Sequence, residues 1–347
     1  MLPILAKPIT GFRIAFWGGF GHVSVVHSEV FAVTIQPSVI VGESEAIRSV
    51  LARAERLADV PRPILIRGER GTGKELLAAY MHAGSKRAAG PFVPVNCAVY
   101  SDALLASEVF GHEKGAFTGA HERRVGCLER AHKGTLFLDE IGNMSAKFQE
   151  KLMRVIETHQ FERIGGNTTL QSNARFVAAT NADIESLIAN GEFRADFYDR
   201  LAFETLTLPP LRERRTDIPA LIAHFTRLLS QEIPNMAPRH FSEEALRLMR
   251  EYYWPGNIRE LKNVVERLLL REGAARILTS ELPTEITATA PAGETFAEQV
   301  EAYRQHLIVS AWRDAGHNQK KAAKQLGMTY DQFRHYFKKY NLSELAT

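Results

Sequence analysis

Glycines and a lysine stand at a fixed spacing in one short stretch of the chain. The stretch reads Gly-x-x-x-x-Gly-Lys and consists of Gly68, Glu69, Arg70, Gly71, Thr72, Gly73, Lys74 and Glu75. Glycines let backbone N–H groups turn inward as a nest for an anion, and the lysine adds a point charge suited to the β- and γ-phosphates of a nucleotide. The spacing therefore predicts a phosphate-binding loop.

The residue after the lysine departs from the general form of this loop. Ser or Thr usually stands there to bind Mg²⁺, whereas this chain has Glu75. An ordinary glycine-rich turn is the alternative, and a bare match to the motif would favour it. The apolar run Ile64–Ile66 before the loop and the helical spacing over Leu76–His82 after it favour the phosphate site, because such a loop joins a strand to a helix.

Two acids follow a second apolar run. The run Thr135–Leu138 reads as a buried strand and ends in Asp139 and Glu140. An acid at the exit of such a strand can reach Mg²⁺ beside a phosphate loop, and the next acid can polarise a water. Asp139 is therefore the predicted metal-organising acid and Glu140 the predicted water activator. A solvated strand end is the alternative, and the phosphate loop upstream argues against it.

Strands and helices alternate around these residues. Further strands are predicted at Phe92–Asn96, Arg175–Asn181 and Thr205–Leu208, with helices such as Ala46–Ala58 and Ser145–Thr158 between them. This alternation predicts an α/β fold with a mostly parallel sheet covered on both faces.

The pattern becomes helical after Pro209 and Pro210. Three helices are predicted there, at Ile218–Gln231, Glu243–Tyr253 and Asn257–Arg271. The predicted domains are an N-terminal extension (1–38), an α/β ATPase subdomain (39–211), a helical lid subdomain (212–282), a linker rich in Pro, Ala and Thr (283–295) and a helical DNA-binding domain (296–347).

Residues 1–38 are apolar and nearly uncharged, and they resemble neither a secretory signal nor a transit peptide. We expect this segment to lie outside the folded core, or not to be made at all because the start codon was assigned too far upstream. A docking arm is the alternative. Cys97 and Cys127 form no metal-type pair and suit a reducing, cytoplasmic environment. No apolar run reaches the roughly 18 residues of a membrane span.

Basic residues concentrate near the C-terminus. Residues 317–340 contain six Lys or Arg and one acid, although the whole chain carries a formal net charge of only +3. Two short helical stretches, Asn318–Leu326 and Tyr330–Lys339, flank a glycine turn, which predicts a helix-turn-helix for double-stranded DNA. The candidate DNA contacts are Thr329, Tyr330, Gln332, Arg334, His335 and Lys338. A solvated pair of basic helices is the alternative.

The order of these motifs resembles that of AAA+ ATPases, and among them the sigma-54-dependent transcription activators, also called bacterial enhancer-binding proteins. In that family a glutamate follows the lysine of the phosphate loop, as Glu75 does here. The family's sigma-contacting loop is complete and consists of Gly115, Ala116, Phe117, Thr118, Gly119 and Ala120. Phe161–Gln171 resembles a second loop that supports it. The resemblance covers Val41 to Leu342, and a buried turn anchored by Phe117 is the alternative for the loop.

The resemblance assigns further residues one at a time. Asn96 matches an asparagine that holds the water-activating glutamate, here Glu140. Asn181 matches a sensor near the γ-phosphate, and Arg259 matches a second sensor that touches nucleotide from the helical lid. For a single arginine, a surface ion pair is the alternative.

Arg194 and Arg200 match arginine fingers, which act from the neighbouring subunit. The resemblance thus implies a hexameric ring that uses ATP and Mg²⁺ to remodel sigma-54 RNA polymerase. It also implies that the ring acts while bound to an upstream activating sequence in double-stranded DNA. It further implies control by an inhibitor protein in trans, since the sequence leaves no room for the usual receiver domain, and a phage-shock type membrane-stress operon as target. Two alternatives remain: an AAA+ remodeller with another target, and a DNA-binding regulator that no longer hydrolyses ATP.

Overall fold

A computed structural model describes residues 40–287, 296–315, 318–340 and 342. The predictions for the N-terminal extension lie outside these residues. The chain divides into two compact units, the first up to Pro283 and the second from Thr284. Each unit is described by itself.

The first unit contains a five-stranded sheet and two small two-stranded sheets. Its strands are β1 (Ile64–Arg67), β2 (Phe92–Asn96), β3 (Thr135–Asp139), β4 (Gln160–Glu162), β5 (Thr169–Gln171), β6 (Arg175–Thr180), β7 (Glu204–Thr207), β8 (His240–Phe241) and β9 (Arg276–Ile277). Its α-helices are α1 (Glu45–Leu57), α2 (Lys74–Ala83), α3 (Asp102–Phe110), α4 (Cys127–Arg130), α5 (Ala146–Thr158), α6 (Ile184–Ala189), α7 (Ala195–Leu201), α8 (Ile218–Glu232), α9 (Glu243–Glu251) and α10 (Asn257–Leu270).

The large sheet has the strand order β2-β3-β6-β1-β7, and every pairing in it is parallel. Side chains alternate between its faces: Leu65, Leu136 and Ala178 enter one buried cluster, whereas Ile64 and Phe137 enter another. Strands buried on both faces are near-continuous apolar runs. The predicted α/β fold with a parallel sheet is confirmed.

The strand order decides which loops meet. β6 lies between β1 and β3, so the loops that follow these three strands leave the same edge of the sheet side by side. The phosphate loop follows β1, Glu140 follows β3 and Asn181 follows β6. Residues far apart in sequence are therefore neighbours at one edge.

The helical part of the first unit packs α8 against α9 and α10. The predicted helix Glu243–Tyr253 ends earlier, at Glu251, because Tyr252 takes an extended conformation. The Trp254 ring is fully buried, and its Nε1–H donates to the Met249 carbonyl at 2.7 Å. The chain thus bends before α10 so that this large ring enters the core.

The second unit contains α11 (Thr284–Thr287), α12 (Phe296–Asp314), α13 (Gln319–Gln325) and α14 (Tyr330–Lys339). Ala322, Phe333 and Phe337 form a buried cluster with Trp312. The predicted linker 283–295 begins with the helical turn α11, whose Ile286 is buried; residues 288–295 lie outside the described ranges.

Asp217 fastens the start of the α/β part to the start of α8. Its carboxylate is fully buried. It accepts hydrogen bonds of 2.7 Å from the N–H groups of Glu43 and Ser44 and from the Ser44 hydroxyl. A buried carboxylate with several donors is costly to remove, since each donor is left unpaired.

Asp217→Ala should therefore lower the free energy of unfolding by about 3 kcal/mol in chemical denaturation. The matched control is Asp183→Ala, which removes an exposed cap of α6 and should cost about 1 kcal/mol. Equal losses in the two variants would contradict a fastening role for Asp217.

Candidate functional site

The predicted phosphate loop has the backbone of an anion nest. Gly71 and Gly73 have φ angles of +76° and +99°, which glycine adopts without strain. A Cβ on Gly71 would lie 2.4 Å from the Gly256 carbonyl oxygen, so a side chain there has no space. Because Gly73 has no side chain to cap α2, the first N–H groups of that helix are available to an anion.

Lys74 is buried beneath the loop. Its side chain is 7% exposed, and its ammonium donates to the carbonyls of Gly68 at 3.0 Å and Glu69 at 3.4 Å. The Glu140 carboxylate lies 3.7 Å away. The lysine charge therefore sits between the loop and the predicted water activator.

Three acids share this edge of the sheet. Burial raises the pKa of the Asp139 carboxyl, and the negative charge of Glu140 raises it further, while Lys74 and Arg259 partly oppose the shift. Loss of hydration and the charge of Asp139 raise the pKa of Glu75. Because the ionised forms of these carboxylates are unfavourable at this site, a cation close to them would be stabilising.

Two asparagines lie beside the acids at the end of β3: Asn96 at the end of β2 and Asn181 after β6. The Asn96 side-chain oxygen accepts from the Ala98 N–H at 2.9 Å, and no hydrogen bond between Asn96 and Glu140 occurs among the described residues. The Asn181 backbone N–H donates to Glu140 Oε2 at 3.4 Å, and its side-chain amide lies against the same carboxylate; because a carboxylate only accepts, we assign the amide nitrogen to that side, 3.2 Å from Oε1. Strands β2 and β6 flank β3, and Asn96 pairs in register with Asp139, so the strand order places both asparagines beside the acids; the predicted contact between Asn96 and Glu140 stays a prediction.

The predicted arginine fingers lie on or next to α7. Arg194 precedes the helix and pairs with Asp196 at 2.7 Å, and Arg200 pairs with Glu157 at 2.9 Å. Their side chains are 39% and 61% exposed. In the described part of the chain, neither guanidinium bonds to the phosphate loop. Both guanidinium groups therefore lie at the surface, each paired with an acid of its own chain.

Arg259 lies on α10 beside the loop. Its Cβ is 3.1 Å from the position that a Cβ on Gly71 would take. Its charge lowers the pKa values of Glu75 and Asp139 against the larger effects of burial. The predicted second sensor thus faces the acidic edge of the site.

Sequence reasoning missed the residues that hold the loop from the helical side. The Arg212 guanidinium binds the Glu69 carboxylate through two hydrogen bonds of 2.6 and 2.8 Å. The fully buried Asn257 amide donates to Glu69 at 3.1 Å and to the Arg70 carbonyl at 3.0 Å. Arg214, also buried, donates to the Thr72 carbonyl at 3.0 Å. No sequence motif pairs these residues, because they lie more than 140 positions from their partners.

A cavity of about 360 Å³ opens beside the loop. Its walls include Ala46, Val50, Gly68, Leu208, Pro210 and Arg212. Apolar walls next to an anion nest suit a molecule with a flat base and a phosphate tail.

The predicted sigma-contacting loop closes on itself at its base. The Gly115 N–H donates to the Ala120 carbonyl at 2.8 Å, and Ala120 is buried. Cβ atoms on Gly115 or Gly119 would meet nothing within 4 Å. Thr118 is exposed, and Phe117 is 43% exposed with its ring 5.0 Å from that of His112. Four of the six residues thus project as a free tip, while Ala120 anchors it.

The second loop supports the first, as the sequence predicts. It forms the β4–β5 hairpin, and Gly165 packs on Ala116, since a Cβ there would lie 2.7 Å from the Ala116 Cβ. Arg163 donates to Glu113 at 2.7 Å and to Glu129 at 2.8 Å. This buried guanidinium fixes the base of the tip.

The six candidate DNA contacts lie at the start and on the outer side of α14, and all are exposed. Two of them, Thr329 and Gln332, also cap the N-terminus of α14. The Gln332 N–H donates to the Thr329 hydroxyl at 3.3 Å, and the Thr329 N–H donates to the Gln332 side chain at 3.0 Å. This reciprocal cap begins α14 and occupies both side chains.

The raised pKa of Asp139 has a consequence for stability. The folded state binds the Asp139 proton more tightly than the unfolded state does, so the ionised carboxylate destabilises the fold at neutral pH. Asp139→Asn should therefore raise the melting temperature of the nucleotide-free protein at pH 7.5. The gain should shrink as pH falls through the raised pKa, because the parent side chain then becomes neutral too. A lower melting temperature for the variant at pH 7.5 would contradict this assignment.

Comparison with known proteins identifies the family of this chain. The family described as Sigma-54 interaction domain matches residues 40–207, and the AAA+ ATPase lid domain matches residues 212–299. The Psp operon transcriptional activator of Escherichia coli K12 is 43% identical over 318 residues, which cover 87% of this chain and 98% of the relative.

Two further proteins show the same likeness. The transcriptional regulatory protein ZraR of Klebsiella oxytoca is 40% identical to this chain. The aligned region covers 94% of this chain and 75% of that protein. The crystal structure of NtrX from Brucella abortus in complex with ATP superposes with a TM-score of 0.66 at 33% identity, over 87% of this chain and 69% of that one. The chain belongs to the sigma-54-dependent, ATP-driven transcription activators of the AAA+ ATPase family.

Proposed function

We propose that this ATPase assembles into a hexameric ring, is held at an upstream activating sequence by its second unit, and remodels the closed complex of sigma-54 RNA polymerase through the loop 115–120. One observation carries the proposal. The Phe117–Thr118 tip projects freely from a unit whose nucleotide site brings together a buried lysine and three acids. Exposed aromatic tips on a fixed base are typical of partner surfaces.

Glu140 is the proposed water activator and Asp139 the proposed Mg²⁺ ligand. The fit to Mg²⁺ rests on the acids. Burial and repulsion from Glu140 raise the pKa of Asp139, and a divalent cation would stabilise the ionised carboxylate against both effects. Among the described residues no cluster of three metal-ligating side chains occurs, which suits an ion that binds one or two carboxylates and completes its shell with phosphates and waters. When bound, Mg²⁺ supplies charge neutralisation for phosphoryl transfer.

Arg194 and Arg200 are the proposed fingers for the neighbouring subunit's site. Their exposed guanidinium groups pair with surface acids of their own chain, and such pairs are weak enough to exchange for a phosphate. Arg259 is proposed to contact the nucleotide from within the same subunit. Asn181 is proposed to sense the γ-phosphate, and Asn96 is proposed to hold Glu140.

The second unit is proposed to bind double-stranded DNA through α14. Arg334 and His335 are exposed on its outer side and Lys338 lies one turn further, which suits base-edge and phosphate contacts respectively. Because DNA and RNA polymerase are the proposed partners, we place the protein in the cytoplasm. In the described residues no helix is long and apolar enough to span a membrane. The similarity to the Psp operon activator supports a phage-shock type stress operon as target and an inhibitor protein as regulator.

Loop substitutions test the coupling. Phe117→Ala and Thr118→Ala should hydrolyse ATP at close to the parent rate, since both residues lie outside the nucleotide site. They should fail to bind sigma-54 in the presence of ADP and aluminium fluoride and fail to open the promoter. Leu270→Ala, an equally exposed apolar residue on α10, serves as the control and should behave as the parent. Promoter opening by Phe117→Ala would remove the loop from the coupling.

Mixed rings test the fingers. Arg200→Ala and Lys74→Ala should each be nearly inactive, and an equal mixture should recover about a quarter of the parent ATPase rate, because one interface in four then joins an intact lysine to an intact finger. The control mixture combines Lys74→Ala with the double variant Lys74→Ala/Arg200→Ala and should recover nothing. Equal rates for both mixtures, with mixed rings demonstrated, would place Arg200 outside the neighbour's site.

Arg334→Ala tests the DNA contact. If Arg334 reads a base edge, the variant should weaken specific binding by about 1–3 kcal/mol and leave binding to random DNA nearly unchanged, as measured by fluorescence anisotropy. An equal loss on both DNAs would reassign Arg334 to phosphate contact.

A further inference from the structure

The third residue of the phosphate loop, Arg70, has a partner that its motif does not explain. Its Nε lies 3.3 Å from one end of the Asn181 side-chain amide, and the other end of that amide faces the Glu140 carboxylate. Asn181 therefore lies between a guanidinium and a carboxylate. The three residues follow the three neighbouring strands β1, β6 and β3.

The chemistry of these groups allows one orientation of the amide. A guanidinium is a donor only, and an ionised carboxylate is an acceptor only. An amide between them must turn its oxygen to Arg70 and its nitrogen to Glu140. In the other orientation the amide N–H groups would face the guanidinium N–H groups, and the amide oxygen would face the carboxylate oxygens. Without the arginine, the amide oxygen has no fixed partner on that side.

The backbone of Arg70 is itself held in place. Its carbonyl accepts from Asn257 at 3.0 Å, and the adjacent Glu69 carboxylate is bound by Arg212. The Arg70 side chain is exposed, and its Nε contact to Asn181 is the one hydrogen bond of that side chain in the described ranges. The loop backbone thus holds Arg70 at a position from which its side chain reaches Asn181.

We propose that Arg70 is a positioning residue for hydrolysis: it fixes the Asn181 amide so that the amide nitrogen holds the Glu140 carboxylate in the orientation that activates water. This inference rests on the proposed role of Glu140. It predicts an effect of Arg70 on turnover through Asn181, and little effect on ATP binding.

A pair of matched substitutions separates this role from a charge role. Gln carries an amide nitrogen at the chain position of Arg Nε, and Met carries a methyl group there, so Arg70→Gln keeps a donor and Arg70→Met removes it, while both lose the charge. Arg70→Met should lower kcat about fivefold to tenfold with KM for ATP within about twofold of the parent. Arg70→Gln should stay within about twofold of the parent kcat. Arg53→Ala, an exposed arginine paired with Glu204, should leave both constants unchanged.

A double-mutant cycle tests whether the effect passes through Asn181. In an Asn181→Ala background, Arg70→Met should cause no further loss of kcat, since the contact is already gone. The inference is overturned if Arg70→Met keeps the parent kcat, if the two losses multiply, or if Arg70→Gln matches Arg70→Met with a raised KM, which would assign Arg70 to phosphate binding by charge.

Glu140→Gln, measured in parallel, separates this inference from the proposed function. It should retain ATP binding and lose most turnover. Parent-rate hydrolysis by Glu140→Gln would refute the role of Glu140 itself, whereas an inactive Glu140→Gln beside an unaffected Arg70→Met would refute only the role of Arg70.

Discussion

The carboxylate of Glu69 is the contact on which the site depends. The Arg212 guanidinium donates two hydrogen bonds to it, and the Asn257 amide donates a third. Bidentate guanidinium–carboxylate pairs fix geometry as well as add energy, so the phosphate loop is held against the helical part of the unit. This contact therefore helps to hold the backbone of the anion nest next to the buried Lys74.

The second constraint is the parallel sheet, which brings charged groups together that would otherwise stay apart. Because β1, β6 and β3 are neighbours, Lys74, Asn181 and Glu140 meet at one edge. Burial and repulsion raise the pKa of Asp139 there, and Glu140 takes the left-handed conformation with φ of 54°. Such strain and unfavourable charge are tolerated at functional sites, where the surrounding structure enforces them. The folded state therefore gives up stability to prepare the site for a cation.

Much of this architecture was predictable, because local signals are strong where strands are buried and glycines are obligatory. The strand Phe92–Asn96 was predicted with its bounds, and the predicted strand Ile64–Ile66 extends by one residue to Arg67. The glycine-rich loop follows it as the glycine spacing predicts. The strand order was not predicted, since it depends on pairing between distant segments. For that reason the contact between Asn181 and Glu140 was not anticipated, whereas the contact of Asn96 with Glu140, which the resemblance implies, stays a prediction. Asn257 was missed because a buried amide carries no sequence signal of its partners, and the individual site roles stay predictions.

The central claim is that this chain uses ATP to open sigma-54 promoters. Its most direct test is open-complex formation on a supercoiled sigma-54 promoter, followed by permanganate footprinting with purified protein, sigma-54 RNA polymerase and ATP. The account predicts melted DNA at the start site with ATP and none with ADP or without the protein. Rapid ATP hydrolysis by an assembled ring that leaves the promoter closed would contradict it.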